Sequence, residues 1–318
     1  MGRVLITGGT GFLGSYLAEL LTARGDEVTT TYIVDPDPFL ALKGRAVRVA
    51  HLDVTDAAEV RRLLEALRPE TIFHFAGQPY VKPSWADPMA TFRTNIDGTL
   101  VFLEWIRQQA PGTRFAFAGS GAAYGISEKQ PMDEETPLRP SSPYASSKAV
   151  GDLLCFQYCA SFGIPTYRFR IFGTTGPGKV GDAPNDFASQ IARLERKEAP
   201  RILKAGRTDT RRDVTDVRDS VRAMALIVDR GTPGEAYNIG SGEARSVQGI
   251  LDALCGLART PIEVATEPAR VRQVDEPVIQ ADTRRLRSMG WTPSIPWSQT
   301  LEDILNHWRS TIGPAGSP

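Results

Sequence analysis

Short apolar runs rich in β-branched residues alternate, over the first half of the chain, with longer stretches whose apolar positions recur at helical spacing. RVLIT (3–7) predicts a strand, and GSYLAELLTARG (14–25) predicts a helix stopped by Gly25. EVTTTYIV (27–34) and AVRVAHLDVTD (46–56) predict further strands, followed by a helix over AAEVRRLLEALRP and a strand over TIFHFAG (71–77). A helix near 88–109, the strand RFAFAGS (114–120), a helix opened by Pro143 and the strand TYRFRIF (166–172) continue the rhythm. Strands alternating with helices in this way belong to an α/β fold: a Rossmann-type, doubly wound parallel sheet.

The alternation breaks at GTTGPGKVGDAPND (173–186), whose glycines and prolines suit a loop or a domain boundary. Residues 1–172 are expected to form the first domain. Residues 173–312, mixing helices with short strands such as EAYNIG, are expected to form mainly a smaller α/β domain, with segments near 214–240 and 277–283 returning to the first. GPAGSP (313–318) reads as a disordered tail.

Charge narrows the classes of function. Lys plus Arg and Asp plus Glu are 37 each in 318 residues, so no net field draws the chain to nucleic acid or to an anionic membrane. No apolar run reaches the roughly 18 residues of a bilayer span, and MGRVLITGG reads as a strand and glycines rather than a signal peptide, which points to the cytoplasm. Cys155, Cys159 and Cys255 form no C-x-x-C, and His51, His74 and His307 are scattered, so neither a disulfide framework nor a metal site is indicated.

The chemistry enters at two places. TGGTGFLG (7–14) lies between the first strand and the first helix, and it reads either as Gly9-x-Gly11-x-x-Gly14 or as Gly8-x-x-Gly11-x-x-Gly14. Glycines there let the backbone approach a pyrophosphate seated at a helix N-terminus, so a dinucleotide is the expected cofactor. The acidic residue that would hold the adenosine ribose is displaced: Tyr32 stands near the expected place and Asp35 follows three residues later. With no Arg or Lys between Val28 and Leu42, and with Asp35 and Asp37 set to repel a 2′-phosphate, the stretch favours NAD(H) over NADP(H). The second place is SSPYASSK (141–148), where Tyr144 and Lys148 fall at i and i+4 on one helical face behind Pro143 and can act on one atom.

A glycine turn at the N-terminus with Tyr-x-x-x-Lys about 135 residues later resembles the extended short-chain dehydrogenase/reductases that work on nucleotide sugars. The pieces LDVTD, HFAGQ, TNIDGT, GSGAAYG, YASSK, GPG, RRDVTDVRD and YNIGSG follow in order over nearly the whole chain. AGQPYVKPSWADP, RRDVTDVRDSVRA and GWTPSIPWSQTLEDIL are most similar to the GDP-4-keto-6-deoxy-mannose reductases and the neighbouring GDP-mannose 4,6-dehydratases.

The resemblance implies that Tyr144 is the acid/base, with Lys148 holding the nicotinamide ribose and lowering the phenol's pKa, and that Ser120 hydrogen-bonds the reacting oxygen. It implies that Gly8, Gly11, Phe12, Leu13, Gly14, Tyr32, Asp53, Val54, Ala76, Gly77 and Asn95 contact the cofactor, Asp53 through the adenine amino group. Ser84, Arg212 and Arg272 would contact the substrate, the arginines clamping its diphosphate. Many relatives carry Asn where this chain has Gly173, so another group supplies that contact or the substrate differs.

Relatives that eliminate water place acidic side chains directly after the catalytic hydroxyl, where this chain has Gly121, Ala122 and Ala123. Asp133, Glu134 and Glu135 follow in a polar loop and are expected to be solvated. The implied activity is therefore NAD(P)H-dependent reduction of a 4-keto-6-deoxy nucleotide sugar. A nucleotide-sugar 4-epimerase is the alternative, ahead of a GDP-mannose 4,6-dehydratase or a non-catalytic NAD(P)-binding sensor. Relatives are commonly homodimers, which here would use the helices near 95–109 and 144–162.

Overall fold

The structure is a computed structural model and describes residues 2–34, 47–196, 200–268 and 276–312. The chain divides into two compact units, one made of Met1–Phe172, Val221–Ile239 and Asp282–Trp291, the other of Gly173–Ser220, Gly240–Ala281 and Thr292–Pro318. Asp35, Asp37, Arg272 and the tail 313–318 lie outside the described residues.

The first unit is built on seven strands: β1 (Arg3–Thr7), β2 (Glu27–Tyr32), β3 (Arg48–His51), β4 (Thr71–His74), β5 (Arg114–Ala118), β6 (Thr166–Ile171) and β7 (Ala236–Ile239). Their order is β7-β6-β5-β4-β1-β2-β3, every pair parallel. This is the Rossmann order with the chain reversing direction beside β1, and in such sheets ligands bind beyond the carboxyl ends at that reversal. The central strands are buried on both faces, as parallel sheets covered by helices must be.

Four helices bear on the site: α1 (Phe12–Ala23), α2 (Ala57–Leu67), α3 (Gly98–Gln109) and α4 (Pro143–Phe162). Asp56 caps α2 by accepting from the amides of Ala58 and Glu59, and Ser142 caps α4 by accepting from Ala145 N. Pro143 occupies the first turn of α4, where its missing N–H costs nothing, and Gly163 ends the helix at φ 69°. One face of the sheet packs against α2 and α3 through Leu5, Ile72, Phe115 and Phe117 on one side and Val60, Leu64, Phe102 and Ile106 on the other.

Two sequence expectations change. The helix expected near 88–109 is interrupted: Pro88–Phe92 is α-helical, Arg93–Asp97 widens into a π-helical turn, and α3 resumes at Gly98. Such a turn inserts one residue into the helical ladder and re-aims its side chains, here Asn95. The stretch 173–186 is not all loop either, because Gly173–Thr175 is a strand and Ala183–Leu194 is a helix capped by Asp182.

In the second unit, Arg211–Asp216 pairs with Gly173–Thr175, Ala244–Ser246 and Val278–Ile279. Helices Ala183–Leu194, Val247–Gly256 and Trp297–Thr311 bury Phe187, Ile191, Leu251, Leu254, Leu301 and Ile304 against each other. Among the described residues, no helix is long and apolar enough to cross a membrane.

Phe115 stands at the middle of the first unit's core and has no exposed surface. Phe115→Ala should cost about 3–5 kcal/mol. A urea titration followed by circular dichroism would register this as a lower midpoint; an unchanged midpoint would contradict the packing.

Candidate active site

Parallel pairing in register brings the last residues of β1, β4 and β5 to one edge of the sheet. The glycine turn grows from β1. Gly8 takes φ +62°, and a Cβ there would stand 2.9 Å from Ala76 N, so the turn lies directly against the end of β4. A Cβ on Gly14 would stand 2.5 Å from the Gly9 Cα, which is why α1 can start so close to the strand it leaves. Gly11 sits at the cap position of α1 and is exposed, and no side chain caps that end. The N–H groups of a helix N-terminus and the helix dipole suit an anion, and the close-packed glycines leave no Cβ in its path, so these residues fit a dinucleotide pyrophosphate. Phe12 and Leu13 begin α1 half-buried.

Beside the turn, Tyr32 ends β2 with its ring edge-on to His51 at 5.6 Å. Asp53 Oδ1 accepts from Thr55 N and Thr55 Oγ1, both at 2.8 Å, while the Asp53 amide donates to Glu59 at 3.0 Å. Val54 is buried under Gly98.

The end of β4 is pinned from two sides. Thr7 Oγ1 accepts from Ala76 N at 3.1 Å and shares a 2.9 Å hydrogen bond with His74 Nδ1. His74 is enclosed by Phe102 and Phe115, and burial lowers its pKa to about 3, so it stays neutral. On the other side Asn95 brackets the Gln78 backbone, accepting from Gln78 N at 2.7 Å and donating to Gln78 O at 3.1 Å, and donates to Ser147 Oγ at 2.9 Å. Asn95 thus ties the β4 end to α4, and a Cβ on Gly77 would lie 2.7 Å from Asn95 Oδ1 and 3.7 Å from Lys148 Nζ. Gly77, Asn95 and Lys148 are brought together.

Lys148 is buried. Its Nζ donates to Ala118 O at 2.9 Å and lies 5.2 Å from the Phe117 ring centroid. Desolvation lowers its pKa to about 8. Ser120 accepts from Ala122 N at 3.1 Å, opening a 3₁₀ turn over Gly121–Tyr124 that packs against α4, the helix of Tyr144. Burial raises the Tyr144 pKa, and the neighbouring Ser120 hydroxyl opposes that rise. Desolvation thus favours the neutral phenol at Tyr144.

Other expectations shift as well. Ser84 is fully buried within Val81–Ala86 and its hydroxyl donates to Val81 O at 2.6 Å, so it presents no exposed atom. Glu134 is not solvated: its side chain is 5% exposed, it accepts from Asn238 N at 2.8 Å, and burial raises its pKa. Glu135 remains exposed. Arg212 belongs to the second unit, on Arg211–Asp216, with Nη1 donating to Arg211 O at 2.8 Å. Gly173 is demanded by close approach, since a Cβ there would stand 2.5 Å from Asp213 O, and an Asn could not be accommodated on this backbone.

Thr7, Ser147 and the Ala118 carbonyl were not identified from the sequence. Each acts through a partner 30 to 69 positions away, and no local pattern announces that.

A Rossmann-ordered sheet with a glycine turn and a Ser120–Tyr144–Lys148 constellation defines an extended short-chain dehydrogenase/reductase. Comparison with known proteins narrows the class: the model of the GDP-mannose 4,6 dehydratase family matches residues 5–304, and the chain belongs to that family. It is 30% identical over 314 residues to the GDP-6-deoxy-D-mannose reductase of Pseudomonas aeruginosa, covering 98% of each chain. Among solved structures, RMD from Pseudomonas aeruginosa complexed with NADPH is similar with a TM-score of 0.83 and 28% identity, over 98% of this chain and 100% of that one. The Thermus thermophilus UDP-glucose 4-epimerase complex with NAD is similar with a TM-score of 0.85 and 31% identity, over 96% and 99%.

Burying the Lys148 ammonium has a thermodynamic signature. A lysine whose folded pKa falls from 10.5 to about 8 destabilises the fold at pH 7, and the penalty fades as pH rises from about 8 to 10.5, because there the unfolded chain holds the extra proton. Lys148→Met should abolish activity yet raise stability at pH 7 by about 1–2 kcal/mol, the relief of desolvation less the cost of leaving Ala118 O unpaired. Denaturant melts at pH 7 and pH 10 should show the gain shrinking at the higher pH; a gain independent of pH would contradict the buried charge.

Proposed function

We propose that the chain is an NAD(P)H-dependent reductase of a 4-keto-6-deoxy nucleotide sugar, with a GDP-linked sugar as the expected substrate. The observation that carries this reading is the turn after Ser120, which packs on the helix of Tyr144 and Lys148 and has only Gly121, Ala122 and Ala123 between Ser120 and Tyr124. A neutral phenol enters the reaction as a proton donor, which suits reduction of a carbonyl. Elimination would call for a further acid/base pair, and the turn has no side chain to supply one. The buried Glu134 is engaged by Asn238 N and faces Arg285.

In this reading the first unit holds the cofactor. The α1 N-terminus and glycine turn take the pyrophosphate, Asp53 receives the adenine amino group, Tyr32 and Val54 flank the adenosine, and Ala76, Gly77 and Asn95 line the path to the nicotinamide end. When bound, the nicotinamide supplies the hydride to C4 of the sugar. Lys148 holds the adjoining ribose, Tyr144 donates its proton to the carbonyl oxygen, and Ser120 hydrogen-bonds that oxygen. Arg212 and Arg272 are assigned to the substrate diphosphate, with the second unit as the nucleotide-sugar-binding part. With no Arg or Lys in 28–42 to receive a 2′-phosphate, NAD(H) is the favoured coenzyme, although the similar Pseudomonas protein was solved with NADPH.

The likeness to the Thermus epimerase favours a second reading, 4-epimerisation. Incubating the enzyme with GDP-4-keto-6-deoxy-mannose and NADH or NADPH should oxidise the cofactor stoichiometrically, and Tyr144→Phe should lower kcat by roughly 10²- to 10⁴-fold while leaving cofactor affinity nearly unchanged. Steady production of keto sugar from GDP-mannose, without cofactor oxidation in the first assay, would instead identify a dehydratase. Interconversion of C4 epimers with no net cofactor use would identify the epimerase.

A homodimer through α4 and the helix near 95–109 completes the proposal. Val150, Leu153 and Phe156 recur at i, i+3 and i+6 along α4 and stay exposed, Leu153 at 55% and Phe156 at 51%. Leu153→Glu should convert the dimer to a monomer in sedimentation velocity without lowering the melting temperature of the protomer; a monomeric wild type would remove this face as an interface.

A further inference from the structure

Tyr144, Lys148 and Asp152 follow one another at i, i+4 and i+8 and so share one face of α4. Asp152 is 1% exposed and holds two guanidinium groups: Oδ1 accepts from Arg168 Nη1 at 2.7 Å and Arg170 Nη2 at 3.0 Å, and Oδ2 accepts from Arg170 Nε at 3.0 Å. Arg170 Nη1 donates in turn to the Tyr124 hydroxyl at 3.0 Å and to Glu134 O at 2.7 Å, and Tyr124 donates to Asn238 Oδ1 at 2.7 Å. Burial raises the Tyr124 pKa to about 12, so that donor is always present.

Tyr124 is the last residue of the 3₁₀ turn that Ser120 caps. A closed circuit results. It runs from Ser120 through the turn to Tyr124, through Arg170 to Asp152, along α4 to Tyr144, and back to Ser120 through the packing of the turn on α4. All of its members belong to the first unit.

We propose that Tyr124, Arg170 and Asp152 are positioning residues that set the placement of the Ser120 hydroxyl relative to Tyr144 and hence the aim of the transferred proton. The proposal rests on the reading of Tyr144 as proton donor. Stability alone does not account for the circuit, because a carboxylate buried between two guanidiniums gains little over apolar residues of similar volume. Apolar residues would hold the turn by volume alone. The charged, forked pairing fixes Tyr124 by direction as well as by volume, and proton transfer is sensitive to displacements well below the size of a side chain.

Tyr124→Phe removes one hydroxyl and keeps the ring against Phe172. The expected result is a fall in kcat of between about tenfold and a hundredfold, with KM for sugar and cofactor within about twofold of wild type. In protein labelled with ¹³C at tyrosine Cζ, the Tyr144 resonance, assigned through Tyr144→Phe, should move at neutral pH towards its position in Ser120→Ala. Asp152→Asn should move it the same way, and Asp152→Glu should restore it in part.

A Tyr144 resonance and kcat both unchanged in folded Tyr124→Phe would overturn the proposal, and that variant decides the matter even if Asp152→Asn fails to fold. The resonance needs no substrate. If the wild type does not reduce the keto sugar while the resonance still moves, the functional reading falls and the circuit stands.

Discussion

The candidate site depends on one constraint, the in-register parallel pairing of β1, β4 and β5, which makes three strands end at a common edge. Parallel strands cannot be joined by tight hairpins, so each must leave that edge through a turn and return by a helix on a face of the sheet. The glycine turn, the Ala76–Gly77 bend and the Ser120 turn are those three departures. Backbone groups that the ladder no longer satisfies are taken up locally: Ala76 N by Thr7, Gln78 N by Asn95, and Ala118 O by Lys148. The groups of the candidate site are therefore also groups that close the sheet's hydrogen bonding.

The same coupling explains an apparent waste. Lys148 is a charge held at an apolar position against Phe117, and Tyr144 is a phenol whose ionisation is opposed by its surroundings. Both are unfavourable as pieces of a fold; in the proposed reaction a desolvated ammonium and a fixed proton donor would act without waiting for solvent to reorganise.

The features legible in the chain were those whose meaning is local. The glycine turn reads from its place between a strand and a helix, Pro143 and Tyr144–Lys148 from helical spacing, and the sheet from the alternation of elements. What escaped notice was set by distant partners. Glu134 sits among charged neighbours in sequence, yet it is buried because Asn238, 104 positions later, needs an acceptor for its amide. Asp152 passes for an ordinary helix carboxylate until Arg168 and Arg170 fold against it from β6.

The π-helical turn at Arg93–Asp97 makes residue count a property of the site. Gly98 N donates to Arg93 O, five positions back, so this helix holds one residue more than an α-helix of the same span. Loss of a single codon there could restore a regular α-helix, but each residue of an α-helix advances the side-chain direction by about 100°. Either Asn95 or the helix on the far side of the turn would then be rotated out of place. Divergence along this segment is thus open to exchange of one amino acid for another and closed to insertion or deletion, and the helix carries its own length as inherited information.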